Sequence, residues 1–338
     1  MSDGVKKLRA AVIGLGVGEQ HIKGYEQHPS CEVVALCDMD EAKLKEVGTR
    51  HPGLRLETDP NTILEDPSID VVSIATYDDV HYEQIMSALN HGKQVFAEKP
   101  LVQTREHAQD IRATLRAHPE LRLSSNLILR QSPRFLSVKK LCEEGVLGEL
   151  IYMEADYESG RLHKITDGWR GKIDGYSGVF GGGVHVIDLL LWITGDDVVE
   201  VSAYGNAIAS RGSGFQNNDQ VVSLLKFKSG LIGKVVVSLG CVSPHFHPMN
   251  VFGTKATFRN TRECGLLVTS RDEQDAHERI MAPYPGVPKG VLIPNFIDSI
   301  LGRAEPLVSE DDIFRAMAVC FAIETSHREG RPVTIQRI

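Results

Sequence analysis

The feature that most constrains the fold is a short apolar strand followed at once by a glycine-rich loop. Residues 8–13 read Leu-Arg-Ala-Ala-Val-Ile, and the next eight, Gly-Leu-Gly-Val-Gly-Glu-Gln-His, end at His21. Such a loop between a strand and a helix lets the backbone approach a pyrophosphate at the helix N-terminus. The third glycine, Gly18, comes one residue earlier than in Gly-x-Gly-x-x-Gly. Either the loop is tighter than usual, or Glu19 occupies the usual glycine place.

An acidic residue after the second apolar strand points to the same kind of ligand. Residues 33–37 form that strand, and Asp38 follows about twenty residues past the loop. A carboxylate there can accept hydrogen bonds from both hydroxyls of an adenosine ribose, and it repels a 2′-phosphate. Met39 and Asp40 supply no arginine to hold that phosphate, so NAD is favoured over NADP. Asp38 could also be the N-cap of the next helix.

Strand and helix patterns alternate through the first part of the chain. Further apolar segments, which are typical of parallel strands buried on both faces, lie at residues 71–75, 95–97 and 121–125. The helices between them are predicted to be capped by Asp78 or Asp79 and by Thr104. This alternation predicts the α/β class, with a doubly wound parallel sheet in an N-terminal domain over residues 1–126.

One of these strands ends in an acid, a base and a turn-forming residue. Glu98, Lys99 and Pro100 follow residues 95–97 directly. Ligands bind at the carboxyl ends of strands in open parallel sheets, and proline fixes the backbone just past the lysine. Lys99 could therefore meet a substrate hydroxyl. By itself the tripeptide is more typical of a surface turn.

The second half of the chain has a different pattern. Residues 150–157 and 200–242 alternate apolar and polar side chains, which predicts strands of an antiparallel sheet. One face of so wide a sheet would be free, and such faces commonly join subunits. We predict a substrate-binding and oligomerisation α+β domain over residues 127–338. Its C-terminal helix, 310–328, is expected to pack back toward the first domain.

Two stretches of the second half carry polar groups that suit a ligand. Residues 158–177 are polar and punctuated by glycine, as in a loop that lines a cleft. Side chains there that can contact a hydroxylated or anionic ligand are Arg161, His163, Lys164, Trp169, Arg170 and Tyr176. Glycines 181–183 then precede an apolar helix, and His185 and Asp188 lie on one face of it. A histidine in such a place is more often a core residue, but a glycine-lined entrance would let a substrate approach it. Asp188 is interpreted as an orienting partner.

Composition and charge exclude several classes of protein. The formal net charge is −8, which argues against a nucleic-acid binder, and no apolar run approaches the roughly 20 residues that span a bilayer. Residues 1–7 lack the apolar core of a signal peptide. The six cysteines are scattered without Cys-x-x-Cys, so we expect reduced thiols and a cytoplasmic protein. His245 and His247 lack a carboxylate cluster, and no metal is expected.

With these motifs in place, the chain resembles the glucose-fructose oxidoreductase / inositol dehydrogenase / rhizopine-catabolism (Gfo/Idh/MocA) family of NAD(P)-dependent oxidoreductases over nearly its whole length. The residues that carry the resemblance are the glycine loop, Asp38, Ala75 and Thr76 followed by His81, Glu98-Lys99-Pro100, Asn126, Trp169-Arg170 and Gly183-x-His185-x-x-Asp188-Leu189. The resemblance implies an N-terminal Rossmann domain and a C-terminal domain with a large, mostly antiparallel sheet. It places the nicotinamide between them, beside Lys99.

The resemblance also implies roles for individual residues. The cofactor contacts are expected at Gly14, Gly16, Val17, Gly18, Asp38, Ala75, Thr76, Tyr77, His81, Glu98, Lys99, Asn126, Trp169 and Arg170. Together with the polar stretches, it predicts substrate contacts at Lys99, Tyr157, Arg161, His163, Tyr176, His185 and Asp188. His185 matches the usual acid/base of the family. Many members carry an aspartate four residues before it, where this chain has Gly181.

These patterns predict an oxidoreductase that transfers a hydride between NAD and a hydroxyl carbon of a sugar, cyclic polyol or sugar derivative. The reaction needs a base for the hydroxyl proton and a positive group for the developing alkoxide, and His185 and Lys99 suit these parts. Two alternatives stay open: an NAD-binding ligand sensor without turnover, which Gly181 favours, and an NAD-dependent redox glycoside hydrolase. A homodimer or homotetramer through the C-terminal sheet is expected.

Overall fold

The computed structural model of this chain describes residues 7–173 and 175–338. Residues 1–6 and Asp174 lie outside the described residues. Residues 1–6 make up most of the segment 1–7, in which no signal peptide is predicted. The described chain divides into two compact units. One holds the residues up to Ile128 together with Pro288–Ile313, and the other holds Leu129–Val287 together with Phe314–Ile338. The predicted cofactor and substrate roles of residues 1–126 and 127–338 stay predictions.

The first unit is built on a six-stranded sheet. Its strands are β1 (Leu8–Ile13), β2 (Cys31–Cys37), β3 (Arg55–Glu57), β4 (Val71–Ile74), β5 (Gln94–Ala97) and β6 (Leu123–Ser125). They lie in the order β3-β2-β1-β4-β5-β6, and each neighbouring pair is parallel. The strand order reverses between β1 and β4, which is the point where doubly wound sheets bind ligands. The predicted fold of this half is confirmed.

Helices connect these strands. They are α1 (Glu19–Glu26), α2 (Glu41–Arg50), α3 (Asn61–Leu64), the 3-10 turn Asp78–Val80 before α4 (His81–Asn90), and α5 (Arg105–Ala117). Thr104 caps α5 as predicted, because its hydroxyl accepts a hydrogen bond from the His107 N–H at 3.2 Å. The N-cap of α4 is Val80, so the cap predicted at Asp78 or Asp79 is wrong. Both acids are taken up by the tighter 3-10 turn that precedes the helix.

The second unit is built on a nine-stranded sheet. Its strands are β7 (Leu150–Glu158), β8 (Val198–Asn206), β9 (Gln220–Phe227), β10 (Ile232–Ser238), β11 (Met249–Gly253), β12 (Thr257–Asn260), β13 (Gly265–Val268), β14 (Glu278–Ile280) and β15 (Val333–Thr334). Their order is β14-β13-β12-β11-β7-β10-β9-β8-β15. The β7–β10 pair is parallel and the others are antiparallel, which confirms the predicted mostly antiparallel sheet.

One face of this sheet is covered by helices. The helical elements of the middle of the chain are the 3-10 turn Ile128–Gln131, α6 (Pro133–Glu143), α7 (His163–Thr166), the 3-10 turn Trp169–Lys172, the π-helical turn Val179–Gly183 and α8 (Val184–Thr194). Helix α8 lies against β7 and β10. Its residues from Val184 to Leu191 are all buried, so this apolar helix forms the centre of the unit's core.

Two more helices, α9 (Ile293–Ile300) and α10 (Glu310–Glu329), precede the last strand, β15. Helix α10 begins with a reciprocal cap, in which the Ser309 hydroxyl donates to the Asp312 carboxylate at 2.7 Å and the Asp312 N–H donates back to Ser309 Oγ at 3.2 Å. The division between the two units falls inside this helix, after Ile313. Across the described ranges, no helix combines the length and apolar character needed to cross a membrane. All six cysteines are free thiols.

Candidate functional site

The glycine loop lies where β1 ends beside β4. Gly14 has a φ of +86°, and a Cβ on it would overlap the carbonyl oxygen of Ala75. A Cβ on Gly18 would overlap the carbonyl oxygen of Gly14 and lie 2.9 Å from the Cβ of Ala75. Gly18 therefore makes the close helix–strand contact that the third glycine normally provides. Glu19 instead pairs with Arg50 at 2.7 Å, so the loop is the tighter of the two forms considered.

Space opens over the middle of this loop. A Cβ on Gly16 would meet nothing within 4 Å, and the neighbouring Val17 is exposed. Helix α1 begins directly after the loop, and no side chain caps its N-terminus at Gly18. The first backbone N–H groups and the positive end of the helix dipole suit an anion there. This part of the loop fits a pyrophosphate.

The Asp38 carboxylate faces the same loop. Its Oδ2 accepts a hydrogen bond from the Leu15 N–H at 2.7 Å, and its Oδ1 accepts one from the Asp40 N–H at 2.9 Å. Asp40 is the N-cap of α2, because its own carboxylate accepts from the N–H groups of Ala42 and Lys43. The capping role considered for Asp38 is therefore wrong, since Asp40 stands next to the helix start. Asp38 is oriented by the loop and keeps lone pairs for ribose hydroxyls.

A buried hydrogen-bond network surrounds Glu98 at the end of β5. Glu98 Oε1 accepts from the Asn126 amide at 2.6 Å and lies 3.3 Å from His21 Nε2. Glu98 Oε2 accepts from the Lys99 N–H at 3.2 Å. The carboxylate of Glu98 thus fixes the backbone of the lysine that follows it, and it links that lysine to the helix after the glycine loop.

The network continues into the core of the unit on the far side of His21. His21 Nδ1 lies 3.1 Å from the Ser73 hydroxyl, which lies 3.0 Å from the Tyr25 hydroxyl. His21 and Tyr25 are fully buried. Neither residue belongs to a motif that predicts a role from the sequence alone. The signal that could have found His21 is a polar ring three residues past the last loop glycine, on a helix whose apolar face is buried.

The environment of Glu98 decides its charge. Burial by itself would raise the pKa of its carboxyl group. The hydrogen bond and charge of His21, the charge of Lys99 and the Asn126 amide together outweigh burial and hold that pKa well below its usual range. Glu98 is therefore an anion at neutral pH, and it supports its neighbours without donating a proton.

The ends of β4 and β5 are tied together by His81. Its ring is fully buried, with Nδ1 2.8 Å from the Pro100 carbonyl oxygen and Nε2 3.3 Å from the Thr76 carbonyl oxygen. The Thr76 hydroxyl donates to the Gln84 side chain at 2.8 Å, and Tyr77 beside it is exposed. His81 therefore positions the strand ends around Lys99.

Replacing Glu98 with glutamine should lower the free energy of unfolding at pH 7 by about 2 kcal/mol, because an amide N–H₂ would face donors that now share a carboxylate. Folding lowers the pKa of the Glu98 carboxyl group from its ordinary value of 4.5, so the ionised group stabilises the folded protein above pH 4.5. That stabilisation is lost as the pH falls from 4.5 toward the pKa of Glu98 in the folded protein. The difference in free energy of unfolding between wild type and E98Q should therefore become smaller below pH 4.5. Urea unfolding at pH 7 and near pH 4 measures it.

The matched control for this prediction is Glu41→Gln. Glu41 is exposed and pairs with Lys45 at 3.2 Å on the surface of α2, so its loss should change stability by less than about 0.5 kcal/mol at either pH. An E98Q protein as stable as wild type at pH 7 would contradict the assigned role of Glu98.

In the second unit, His185 lies in the first turn of α8 and is 7% exposed. Glycines 181–183 run up to this turn. A Cβ on Gly181 would overlap the hydroxyl of Tyr176, and one on Gly182 would overlap the ring of Tyr157. A Cβ on Gly183 would lie 2.8 Å from a Val237 methyl group. The interpretation of these glycines as a substrate entrance is therefore corrected, because the protein's own side chains fill the space beside them.

Asp188 lies one turn after His185 and forms a buried ion pair. The Arg130 guanidinium donates to both of its oxygens, at 2.9 and 2.6 Å, and the two side chains are 3% and 1% exposed. The Arg130 guanidinium also lies over the ring of Trp192 at 5.8 Å. Arg130 was not among the residues predicted from the sequence. Its signal is a single charge in the apolar run 127–130, which must find a counter-charge if it is buried.

The polar stretch 158–177 is more regular than the predicted loop, since it holds α7 and a 3-10 turn. His163 is exposed on α7, and the Arg170 guanidinium lies 4.3 Å from the centre of the Trp169 ring. Burial raises the pKa of Tyr157, and the charges of Arg161 and Arg170 oppose that shift. Tyr157 and these two arginines therefore share one electropositive environment.

The two histidines considered as weak metal ligands are engaged within the protein. His245 Nδ1 lies 2.8 Å from the Glu158 carbonyl oxygen, and the His247 ring pairs with the Tyr284 hydroxyl. Both rings lie against Tyr157, with centroid distances of 5.1 and 5.4 Å. Within residues 7–173 and 175–338, no group of three or more His, Cys, Asp or Glu side chains is arranged to hold a metal ion.

A parallel sheet with a glycine loop at its switch point and an acid after its second strand defines a dinucleotide-binding protein of the doubly wound α/β class. Residues 8–126 match the oxidoreductase family with an NAD-binding Rossmann fold, and residues 135–259 match the Gfo/Idh/MocA C-terminal domain. The chain therefore belongs to the Gfo/Idh/MocA family of oxidoreductases. The predicted family, cofactor and oxidoreductase class are confirmed.

Named relatives are similar along almost the whole chain. Myo-inositol 2-dehydrogenase of Thermotoga maritima is 26% identical over an alignment of 345 positions, which covers 98% of this chain and 99% of the relative. The scyllo-inositol 2-dehydrogenase (NAD(+)) of Bacillus subtilis is 24% identical, covering 97% and 96%. The solved levoglucosan dehydrogenase in complex with NADH has a TM-score of 0.86 at 20% identity, covering 98% and 100%. That last likeness is one of fold.

Proposed function

We propose that this enzyme uses NAD to oxidise a hydroxyl carbon of a cyclic polyol, a sugar or a sugar derivative. The observation that carries the proposal is the order of strands β1, β4 and β5, which are neighbours in one parallel sheet. Their carboxyl ends carry the glycine loop, then Ala75 and Thr76, then Glu98 and Lys99 along one edge. Strands lie about 4.8 Å apart, so a lysine two strands from a pyrophosphate site lies within the reach of a dinucleotide.

Residues of the first unit are proposed to hold the cofactor. Its pyrophosphate would lie on the glycine loop and its adenosine ribose on Asp38, and bound NAD supplies the acceptor for the hydride. The remaining proposed contacts are Ala75, Thr76, Tyr77, His81, Glu98, Lys99 and Asn126, with Trp169 and Arg170 of the second unit. Among the described residues the Asn126 amide oxygen has no hydrogen-bond partner, which leaves it for a ligand hydroxyl.

Two residues are proposed to act on the substrate hydroxyl. The imidazole of His185 takes the hydroxyl proton, and a positioned base of this kind contributes about 10²–10⁴-fold. The Lys99 ammonium group stabilises the negative charge that develops on the oxygen. Glu98 supports Lys99 by accepting a hydrogen bond from its backbone N–H. Glu98 is thus proposed to position Lys99, and Lys99 to act on the substrate.

The substrate class is supported by the names of the similar proteins. Relatives similar over nearly the whole chain are named for dehydrogenation of inositols, which are cyclic polyols. The proposed substrate contacts Tyr157, Arg161, His163, Tyr176 and Asp188 complete the set with Lys99 and His185. Because Tyr157 shares its environment with Arg161 and Arg170, an acidic group on the substrate would also be accommodated.

The expected result of the direct test is formation of NADH with a polyol. Purified protein is mixed with NAD and with myo-inositol, scyllo-inositol or levoglucosan, and NADH absorbance is followed. NADP should support a rate at least about tenfold lower, because Asp38 repels its 2′-phosphate. NAD binding with no NADH from any substrate would favour the sensor, and release of a reducing sugar with no net NADH would favour the hydrolase.

The free face of the nine-stranded sheet is proposed to join copies of the chain as a homodimer or homotetramer. Tyr204 and Val222 are cross-strand neighbours on that face, and Leu224 and Ile232 extend the patch. All four are exposed large hydrophobic residues. Sedimentation velocity tests this, and a monomer at micromolar concentration would refute it.

A cytoplasmic location is proposed from the free thiols, and microscopy of a tagged protein tests it.

A further inference from the structure

The imidazole of His21 is enclosed between two hydrogen-bonding groups of the first unit. Its ring is fully buried in the first turn of α1, which begins at Glu19. Nε2 lies 3.3 Å from Glu98 Oε1, and Nδ1 lies 3.1 Å from the Ser73 hydroxyl. The ring is nearly perpendicular to that of Phe96, with the two centroids 5.4 Å apart. Both ring nitrogens therefore have fixed partners, and the ring is held in one orientation.

The partner of Nε2 decides which nitrogen carries a proton. Glu98 is an anion at neutral pH, and an ionised carboxylate only accepts hydrogen bonds. His21 Nε2 must therefore be the donor, in the neutral ring as in the protonated ring. A hydroxyl both donates and accepts, so Ser73 serves Nδ1 in either case. Ser73 is itself held by the Tyr25 hydroxyl at 3.0 Å, and the side chains of His21, Ser73 and Tyr25 are fully buried.

The carboxylate of Glu98 is held by donors from two elements. Besides His21 on α1, the Asn126 amide at the end of β6 donates to Oε1 at 2.6 Å. One donor would leave the carboxylate free to turn about a single hydrogen bond, whereas two fix its direction. The other oxygen, Oε2, accepts from the Lys99 N–H at 3.2 Å. The direction that His21 imposes on the carboxylate is therefore passed to the backbone of Lys99.

We propose that His21 is a positioning residue for Lys99, and that it acts by donating a hydrogen bond from Nε2–H to the Glu98 carboxylate. The inference rests on the proposed function, in which the Lys99 ammonium group meets the developing alkoxide. A misplacement of about 1 Å in a reacting group can cost about 10²-fold in rate. Since His21 lies in the first turn of α1, the helix proposed to receive the pyrophosphate also positions the lysine.

The experiment compares two amide variants of the full chain. His21→Gln can carry an N–H₂ group to the position of Nε2, whereas the side chain of His21→Asn is one carbon shorter and reaches only the position of Nδ1. Both variants bury the same polar group, so the difference between them isolates the hydrogen bond to Glu98. His118→Gln is the control, because His118 is exposed and pairs with Glu120 at 3.3 Å in the same unit. Circular dichroism checks that each variant folds.

Three readouts separate positioning from a structural role. In protein labelled with ¹⁵N-histidine, NMR of the His21 ring, assigned by the signals lost in H21Q, shows which nitrogen carries a proton. In protein labelled with ¹⁵N-lysine, the amide signal of Lys99, assigned with Lys99→Ala, reports the hydrogen bond from its N–H to Glu98. The third readout compares kcat, with whichever of myo-inositol, scyllo-inositol or levoglucosan the wild type oxidises, with NAD affinity from titration calorimetry. The two NMR readouts need neither substrate nor cofactor.

Wild-type His21 should carry a proton on Nε2 at every pH at which the enzyme works. H21N should move the Lys99 amide signal and lower kcat about 10–100-fold, the effect of one hydrogen bond to a charged group, with NAD affinity within about threefold of wild type. H21Q should restore the Lys99 signal and bring kcat within about fivefold of wild type, because its amide replaces the lost donor. H118Q should behave as wild type.

An Nε2 without a proton in the wild type would overturn the inference, as would a Lys99 amide signal that H21N leaves unchanged. Equal losses of kcat in H21N and H21Q would also overturn it, because they would assign His21 to the packing of the core. A wild type that reduces no NAD with any of the three substrates would refute the proposed function, while the NMR readouts would still decide whether His21 positions Lys99.

Discussion

Replacing Lys99 with alanine should lower kcat by at least about 10³-fold while NAD still binds. The ammonium group is the positive charge proposed to meet the developing alkoxide, and removing a single preorganised group of this kind costs about 10²–10³-fold. Loss of hydrogen bonds that orient the substrate adds to this. Binding of NAD should survive, because the glycine loop and Asp38 lie on other strands. Initial rates of NADH formation and titration calorimetry with NAD measure the two effects.

The matched control is Lys45→Ala. Lys45 is 74% exposed and pairs only weakly with Glu41 on α2. The rate of NADH formation by K45A should therefore stay within about twofold of the wild-type rate. A K99A enzyme that keeps more than a tenth of the wild-type rate would exclude Lys99 from the chemistry. Loss of NAD binding together with turnover would instead place Lys99 mainly in the cofactor site.

Replacing Arg130 with alanine should lower the free energy of unfolding by about 3–5 kcal/mol, because it removes the guanidinium that donates to both oxygens of the buried Asp188 carboxylate. Both side chains are almost fully shielded from solvent, so water cannot compensate. Activity should fall as well, since the Arg130–Asp188 pair ties the helix that carries His185 to the segment that holds Arg130. Denaturant unfolding followed by circular dichroism gives the stability change.

A second variant tests the explanation. Replacing both partners, Arg130→Met with Asp188→Leu, removes both buried charges and should recover most of the stability that R130A loses. Lys140→Ala, which removes an exposed pair with Glu144, should cost less than about 0.5 kcal/mol. An R130A protein within about 1 kcal/mol of wild type would mean that the unit relaxes to hydrate Asp188.

Much of the first unit follows from short-range patterns. Strand β1 has the predicted bounds Leu8–Ile13, and the Thr104 cap lies where it was predicted. Both depend on a residue's immediate neighbours: an apolar run between polar residues, and a hydroxyl one position before a helix. The same local reasoning failed at Asp38 and at Asp78 or Asp79. Several acids stood near each helix start, and the choice among them depends on turn geometry.

The candidate site was only partly predictable for the same reason. Lys99 and His185 were identified as candidates because each stands at the end of a strong local pattern. The role of glycines 181–183 was misread, since a run of glycines indicates close approach but not by what. Two tyrosine rings and a Val237 methyl group of the same unit make that approach.

Local patterns were enough to specify the doubly wound sheet, the glycine loop and the lysine at a strand end, because strand periodicity and turn chemistry act over a few residues. Tertiary packing alone decided the partners: His21 with Glu98, 77 residues apart, and Arg130 with Asp188, 58 residues apart. It also decided that the hydroxyl of Tyr176 fills the place beside Gly181. Buried polar groups must find partners wherever the fold brings them, and which partners they find depends on how whole elements pack together.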